Sequence, residues 1–416
     1  MADNAADTSR VGWLDGLRGF AAMQVVLLHY ALVFLPALGS QNPQFIHFGW
    51  ELHVIGTPLT LLFDGTLAVY LFFIMSGVVL TYAFNGRHQA VPRIVIRRVI
   101  RLWLPMAATL LLTAILFSAF PSAHLTAFRI LRMSWLGTSM PASVSAASIG
   151  HQIVFEGLLT GYRDQGFLPH WAAVALSLQP MDQARNPPLW TLHIEFVGSL
   201  LVLALVTLRA SVGQATYRLI CLVLFLCFLA SPLALFIIGH WVAPRLGQVG
   251  KGMWRRALAV SCLILSILLC TRTIVLFPPE LLSLLRSPPI GPSIEPRDFQ
   301  IMLSAILLFV SLHQLPILRR VLETPAMRWF GKISFSLYLT HFPVLFTVTA
   351  AIYVVVAAYL PFSASLSIGG LAGMAVSLAL AVLFERWIDR PAINLSRMVG
   401  APRQHRVTPA PVIKAA

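Results

Sequence analysis

The chain has 416 residues, 58% hydrophobic and 11% charged, with a formal net charge of +15 and a mean hydropathy of +0.80. Soluble globular domains carry roughly twice that charged fraction, so the composition excludes a water-soluble fold. In so apolar a chain the positive excess marks cytoplasmic loops of a membrane protein and not a nucleic-acid surface.

Apolar runs near the ~20-residue length of a membrane helix predict ten spans. In chain order they lie at about 14–35, 62–84, 98–120, 189–208, 217–230, 232–243, 256–272, 299–315, 333–358 and 365–388. The fold class is therefore all-α, a polytopic membrane helix bundle in a lipid bilayer. The fifth and sixth runs are short and separated by Ser231-Pro232, so they are tilted or partly re-entrant. The longest polar interval, 121–188, contains pieces such as HLTAFRILRMSWLG that suit interfacial helices. With the N-terminus inside, 23 of the 30 Lys and Arg residues fall on the cytoplasmic side. That split favours N-in, C-in and places 121–188 outside. Cys221, Cys227, Cys262 and Cys270 all sit in apolar runs without a CxxC pair, which indicates neither a disulfide framework nor a metal site. The first residues lack a basic n-region, so no removable signal peptide is expected.

The first span, LRGFAAMQVVLLHY, keeps Arg18 and His29 in an apolar run. Eleven residues of helix turn 1100°, within ~20° of three full turns, so both project from one face about 16 Å apart. Arg18 alone also suits a snorkelling anchor. His29 is deeper, about 9 Å short of the outer end, where an ionisable residue faces a cavity or a partner. Glu195 lies six or seven residues inside the fourth span, NPPLWTLHIEFVGSLL, again about 10 Å below the outer surface if that span starts there. The two counts predict that His29 and Glu195 meet at one depth. Such a pair serves a general base, a helix-joining ion pair, or a proton relay.

Arg93, Arg97 and Arg101 in RIVIRRVIRLWLP recur at i, i+4 and i+8, with Arg98 adjacent. The stripe suits either a cytoplasmic anchor or a phosphate clamp built from guanidinium forks. In GKISFSLYLTHFPVLF, Ser334, Tyr338 and His341 form a polar stripe that must face the bundle interior.

These segments together resemble the integral-membrane acyltransferase family three, whose members O-acylate glycans, lipid-linked sugars and some small molecules. LDGLRGFAAMQVVLLH, with Asp15, Arg18 and His29, is similar to the family's Arg-x10-His element. YLFFIMSG, with Ser76, resembles FFxxSG; RRVIRLWLP resembles RRxxRL; LWTLHIEF, with Trp190 and Glu195, resembles WSLxxE. ISFSLYLTHFPV resembles SYSLYLxHxP, and WIDRPAINLSR the closing ERPxxR element. The order holds from residue 12 to about 397. Tyr70 stands where many members carry an acidic residue, Val78 replaces an aromatic, and Asp389 replaces Glu.

The charge split and the resemblance together give a cytoplasmic N-terminus at 1–12, an acyltransferase membrane domain at 13–397 and a disordered basic cytoplasmic tail at 398–416. The resemblance implies transfer of an acyl group, most often acetyl, from acyl-CoA to a hydroxyl of a carbohydrate or glycolipid. His29, Glu195 and Arg18 would be catalytic. Arg97, Arg98 and Arg101 would hold the CoA, and Asp15, Ser76, Trp190, Ser334, Tyr338 and His341 would support the site. The expected location is the plasma membrane, the inner membrane of a bacterium. A proton-coupled transporter using His29 and Glu195 is the alternative, although no internal repeat is visible. Whether His29 acts as base or acyl carrier, and the oligomeric state, stay open.

Overall fold

The structure, a computed structural model, describes residues 12–85, 90–131, 145–246, 252–271, 273–276 and 296–400. The expected N-terminal segment before residue 12 and the basic tail beyond 400 lie outside these residues, as does part of the expected interfacial stretch, 132–144.

Each of the ten predicted spans is helical. In chain order they are α1 (Gly12–Phe34), α2 (Gly65–Phe84), α3 (Val91–Ala119), α4 (Trp190–Ser211), α5 (Gln214–Cys227), α6 (Leu233–Val242), α7 (Met253–Cys270), α8 (Pro296–Gln314), α9 (Pro325–Val344) and α10 (Phe362–Phe384); α11 (Arg390–Gly400) follows. Seven helices among the described residues are long and apolar enough to cross a membrane. The count reaches eight if the pair Arg297–Gln314 and Pro316–Leu322, bent by 96°, is one span. The two runs expected to be short, α5 and α6, fall below the spanning length. Ser231 and Pro232 divide that apolar run, and the 14 residues of α5 extend only about 21 Å against a ~30 Å core. Two π-helical turns, Leu345–Thr349 and Glu385–Asp389, continue α9 and α10 toward Ala350–Ala357 and α11.

Small residues set the closest crossings. α1 packs along α9 through Gly19 and Gly331, and Gly16 sits against the Leu322 backbone at the end of the short helix Pro316–Leu322. A Cβ on Gly331 would stand 2.1 Å from the Asp15 carbonyl oxygen, so any larger residue would part the helices. α2 and α6 meet in the same way at Gly77 and Gly239. In a lipid environment, where apolar surface gains little from burial between helices, such backbone approach is the main source of association. Asp64 caps α2 by accepting from the Leu67 N–H at 2.9 Å.

Proline opens one carbonyl in the middle of α9. Pro343 has no N–H, so the Leu339 oxygen loses its helical donor. It accepts instead from Thr109 Oγ1 of α3 at 3.1 Å and from Asn186 Nδ2 at 2.9 Å. The defect thereby ties α3, α9 and the chain entering α4 together beside His341.

Between α3 and α4, the π-helical stretch Gln152–Thr160 buries Glu156 completely. Its carboxylate accepts from the Gln179 N–H at 2.5 Å and lies 3.4 Å from His151 Nδ1. Burial still pushes this carboxyl above the usual carboxylate range, against the downward pull of Gln179 and His151.

Candidate active site

The α1–α9 crossing carries two histidines. His29 Nδ1 lies 2.8 Å from His341 Nε2, the rings 5.0 Å apart and 26° from parallel. Phe342 meets His29 edge-on at 5.2 Å. His341 Nδ1 is 2.9 Å from the Leu337 carbonyl oxygen, one turn back on α9. The stripe Ser334, Tyr338 and His341 is buried throughout, as its spacing required. The Tyr338 hydroxyl donates to the Pro188 carbonyl at 2.7 Å and shares a 2.8 Å hydrogen bond with Thr191 Oγ1.

Glu195 does not meet His29. Its carboxylate pairs with Arg98, while Arg101 pairs with Asp389. The expected meeting is not seen because the residues that lead into α4, not Glu195, stand beside His29: Pro187, Pro188 and Trp190 line the cavity that contains it. Glu195 lies five residues beyond Trp190, about 7.5 Å further along the helix, level with the arginines of α3.

Three adjoining cavities follow. The first, about 280 Å³, is lined by Arg18, Arg98, Arg101, Glu195, Ser76, Ser334, Thr191 and Tyr338, with Phe72, Met75 and Phe335. The second, about 370 Å³, is lined by His29, Trp190, Tyr70, Thr66, Asp182, Asp298 and Tyr338 among mostly apolar side chains. The third, about 140 Å³, is lined by Arg97, Arg98, Arg101 and Ser396. Arg98 and Arg101 border the first and third; Val69 and Tyr338 border the first and second. The three cavities thus follow one another from the arginines to His29, with Tyr338 in the wall shared by the first and second. The Arg101 guanidinium also stands over the Phe335 ring, 4.9 Å from its centroid.

Of the predicted site residues, Arg18, Arg98, Arg101, Glu195, Ser76, Ser334 and Tyr338 share the first cavity, His29 and Trp190 the second, and Arg97 the third. His341 reaches the second through His29. Asp15 is exposed at the start of α1 and lines none of the three. Sequence reasoning did not find Asp389 as the partner of Arg101, although its departure from the motif marked the position. Thr191 and Asn186 were also missed, since their role is to satisfy hydroxyl and carbonyl groups on other helices. Among the described residues, no group of three or more His, Cys, Asp or Glu is arranged to hold a metal ion.

Residues 11–386 match the family described as an acyltransferase domain. The chain is also similar to the O-acetyltransferase PaAT-1 of Phomopsis amygdali, 26% identical over 396 residues, an alignment covering 82% of this chain and 73% of that protein. No solved structure matches the chain.

Proposed function

This chain belongs to the acyltransferase domain family and is a membrane acyltransferase; from that premise we propose that it moves an acetyl group from acetyl-CoA to a hydroxyl of a carbohydrate or glycolipid acceptor. The observation that carries the reading is the run of adjoining cavities from Arg97, Arg98 and Arg101 to His29. Guanidinium forks suit the nucleotide and diphosphate of CoA, and a pantetheine arm of roughly 15–20 Å matches the ~16 Å helical rise from Arg18 to His29. That the similar Phomopsis protein is an O-acetyltransferase supports acetyl as the group transferred. The transporter alternative has no support once the family is an acyltransferase.

In this reading the donor's phosphates occupy the third cavity and its arm the first, where Arg18 adds another cation. The acceptor enters the second cavity, where Trp190 offers an aromatic face. His29 removes the proton from the acceptor hydroxyl as that oxygen attacks the thioester carbonyl. The carbon–sulfur bond then breaks, and the CoA thiolate takes the proton back from His29. Glu195 keeps Arg98 neutralised while the site is empty. With both termini inside, the arginines face cytoplasmic acetyl-CoA across the plasma membrane.

The test is purified protein in nanodiscs, given radiolabelled acetyl-CoA with a membrane glycan extract, and product analysis by mass spectrometry. Label on a glycan hydroxyl supports the reading. Label transferred from longer acyl-CoAs but not from acetyl-CoA, or recovered only on non-glycan alcohols, overturns the corresponding part.

A further inference from the structure

We propose that His341 is a positioning residue that fixes the tautomer of His29, and so makes His29 Nε2 the atom that takes the acceptor's proton. The inference rests on the acetyl-transfer reading for its kinetic consequence. Its geometric part stands without that reading.

The Leu337 oxygen can only accept, so the 2.9 Å contact requires the hydrogen to sit on His341 Nδ1. In a neutral imidazole the other nitrogen then carries the lone pair. His341 Nε2 is therefore an acceptor, and the 2.8 Å contact requires His29 Nδ1 to be the donor. His29 Nε2 is left without a hydrogen, which is the state of a base. The order of hydrogens follows from a backbone oxygen that cannot donate, and a second such oxygen, the Val25 carbonyl one turn back on α1, also accepts from the His29 ring.

Burial makes the order hard to reverse. His341 has no solvent exposure, so no bulk water competes for its ring. Reversing His341 alone would set a hydrogen on its Nε2 against the one on His29 Nδ1, and reversing both rings would keep that bond but leave the Leu337 oxygen facing a lone pair. The glycine crossing of α1 and α9 holds the two rings at contact distance, and the Phe342 edge restricts rotation of His29. His341 thus gives His29 the orientation that an aspartate gives the base of a serine protease, without adding a negative charge. During the reaction one proton arrives at His29 Nε2 from the acceptor and leaves from the same atom to the thiolate. The His29–His341 hydrogen bond is unchanged before and after.

The experiment compares His341→Ala with His341→Gln, whose amide oxygen can still accept from His29 Nδ1. Protein labelled with ¹⁵N-histidine in nanodiscs is examined by solid-state NMR, with His29→Ala used to assign the His29 signals. In the unmodified protein His29 should show a protonated Nδ1 and an imine-type Nε2. His341→Ala should move His29 toward the other tautomer, and His341→Gln should retain the first. In kinetics, His341→Ala should lower kcat by at least about tenfold, a fraction of the full general-base contribution, with KM for acetyl-CoA changed less than about twofold. His341→Gln should recover most of kcat. Equal losses in the two variants, or an unchanged His29 tautomer in His341→Ala, would overturn the proposal. Full activity in His29→Ala would overturn the acetyl-transfer reading instead, with the nitrogen spectra still deciding the hydrogen order.

Discussion

The arginine cavity and the histidine cavity adjoin at Tyr338, yet they hold their polar groups by opposite means. In the first, Arg98 and Arg101 are matched by carboxylates from two other helices, Glu195 and Asp389. In the second, two imidazoles share one hydrogen bond on the most closely packed helix pair. If the arginines receive the donor's phosphates, as proposed, the first region can keep its cations because exchangeable counter-ions hold them in the empty state. A region that must move a proton benefits from a partner that orders hydrogens without trapping charge.

The sharpest way to break that division is at His29. His29→Ala should reduce acetyl transfer by at least ~100-fold, the lower range for general acid–base catalysis, while donor binding by isothermal titration stays intact. Loss of binding together with turnover would make the two cavities one functional unit.

Arg98→Ala acts on the other side. It removes a charge-assisted contact worth about 1.5–3 kcal/mol, so KM for acetyl-CoA should rise roughly 10- to 100-fold. A short acetyl thioester lacking the nucleotide should be used nearly as well by the variant as by the unmodified protein. Equal loss with both donors would reduce the arginines to topological anchors.

Glu195→Gln sharpens the contrast further. It frees Arg98 for a phosphate, so KM for acetyl-CoA should fall, on the order of two- to fivefold, the 0.2–1 kcal/mol of a partly exposed ion pair. The near-neutral limb of the pH–rate profile should stay where it is, because His29 is not the partner of Glu195. A shifted limb would rejoin the two residues functionally despite their separate cavities.

The smallest effect lies outside both cavities. Burial raises the Glu156 carboxyl above its ordinary range, so the folded chain binds this proton more tightly than the unfolded chain. Stability contributed here is present below the ordinary carboxylate pKa and is lost as pH rises through the raised value. Glu156→Gln should remove that slope, changing the pH dependence of Tm by about 1–2 °C in differential scanning fluorimetry. An unaltered slope would locate the dependence in other groups.

The spans were legible because lipid enforces length and apolarity residue by residue. The polar stripe of α9 was legible for the same reason: Ser334, Tyr338 and His341 had nowhere to go but inward. The pairing of those groups was not legible. Depth counted along a helix does not say which of its residues meets a neighbour, and the residues that lead into α4 stand beside His29. The contact between His29 and His341 joins residues 312 positions apart, and no period within either helix encodes it. Asp389 shows the intermediate case. Its position was conspicuous in the closing motif, but its partner on α3 became visible only with the fold.

The ion pairs also impose an order on biosynthesis. Arg98 and Arg101 leave the ribosome 97 and 288 residues ahead of the carboxylates that neutralise them. An arginine at the centre of a newly inserted helix costs about 2.5–3.5 kcal/mol at the translocon. The arginines of α3 occupy about its first three turns, from where their long side chains can reach lipid phosphates. They begin as guests of the headgroups and move to protein partners only as α4 and the end of α10 arrive. Asp389 is made when nearly the whole described chain has been synthesised, so the arginine cavity is completed last, and a ribosome that stops short of it leaves Arg101 among the lipids.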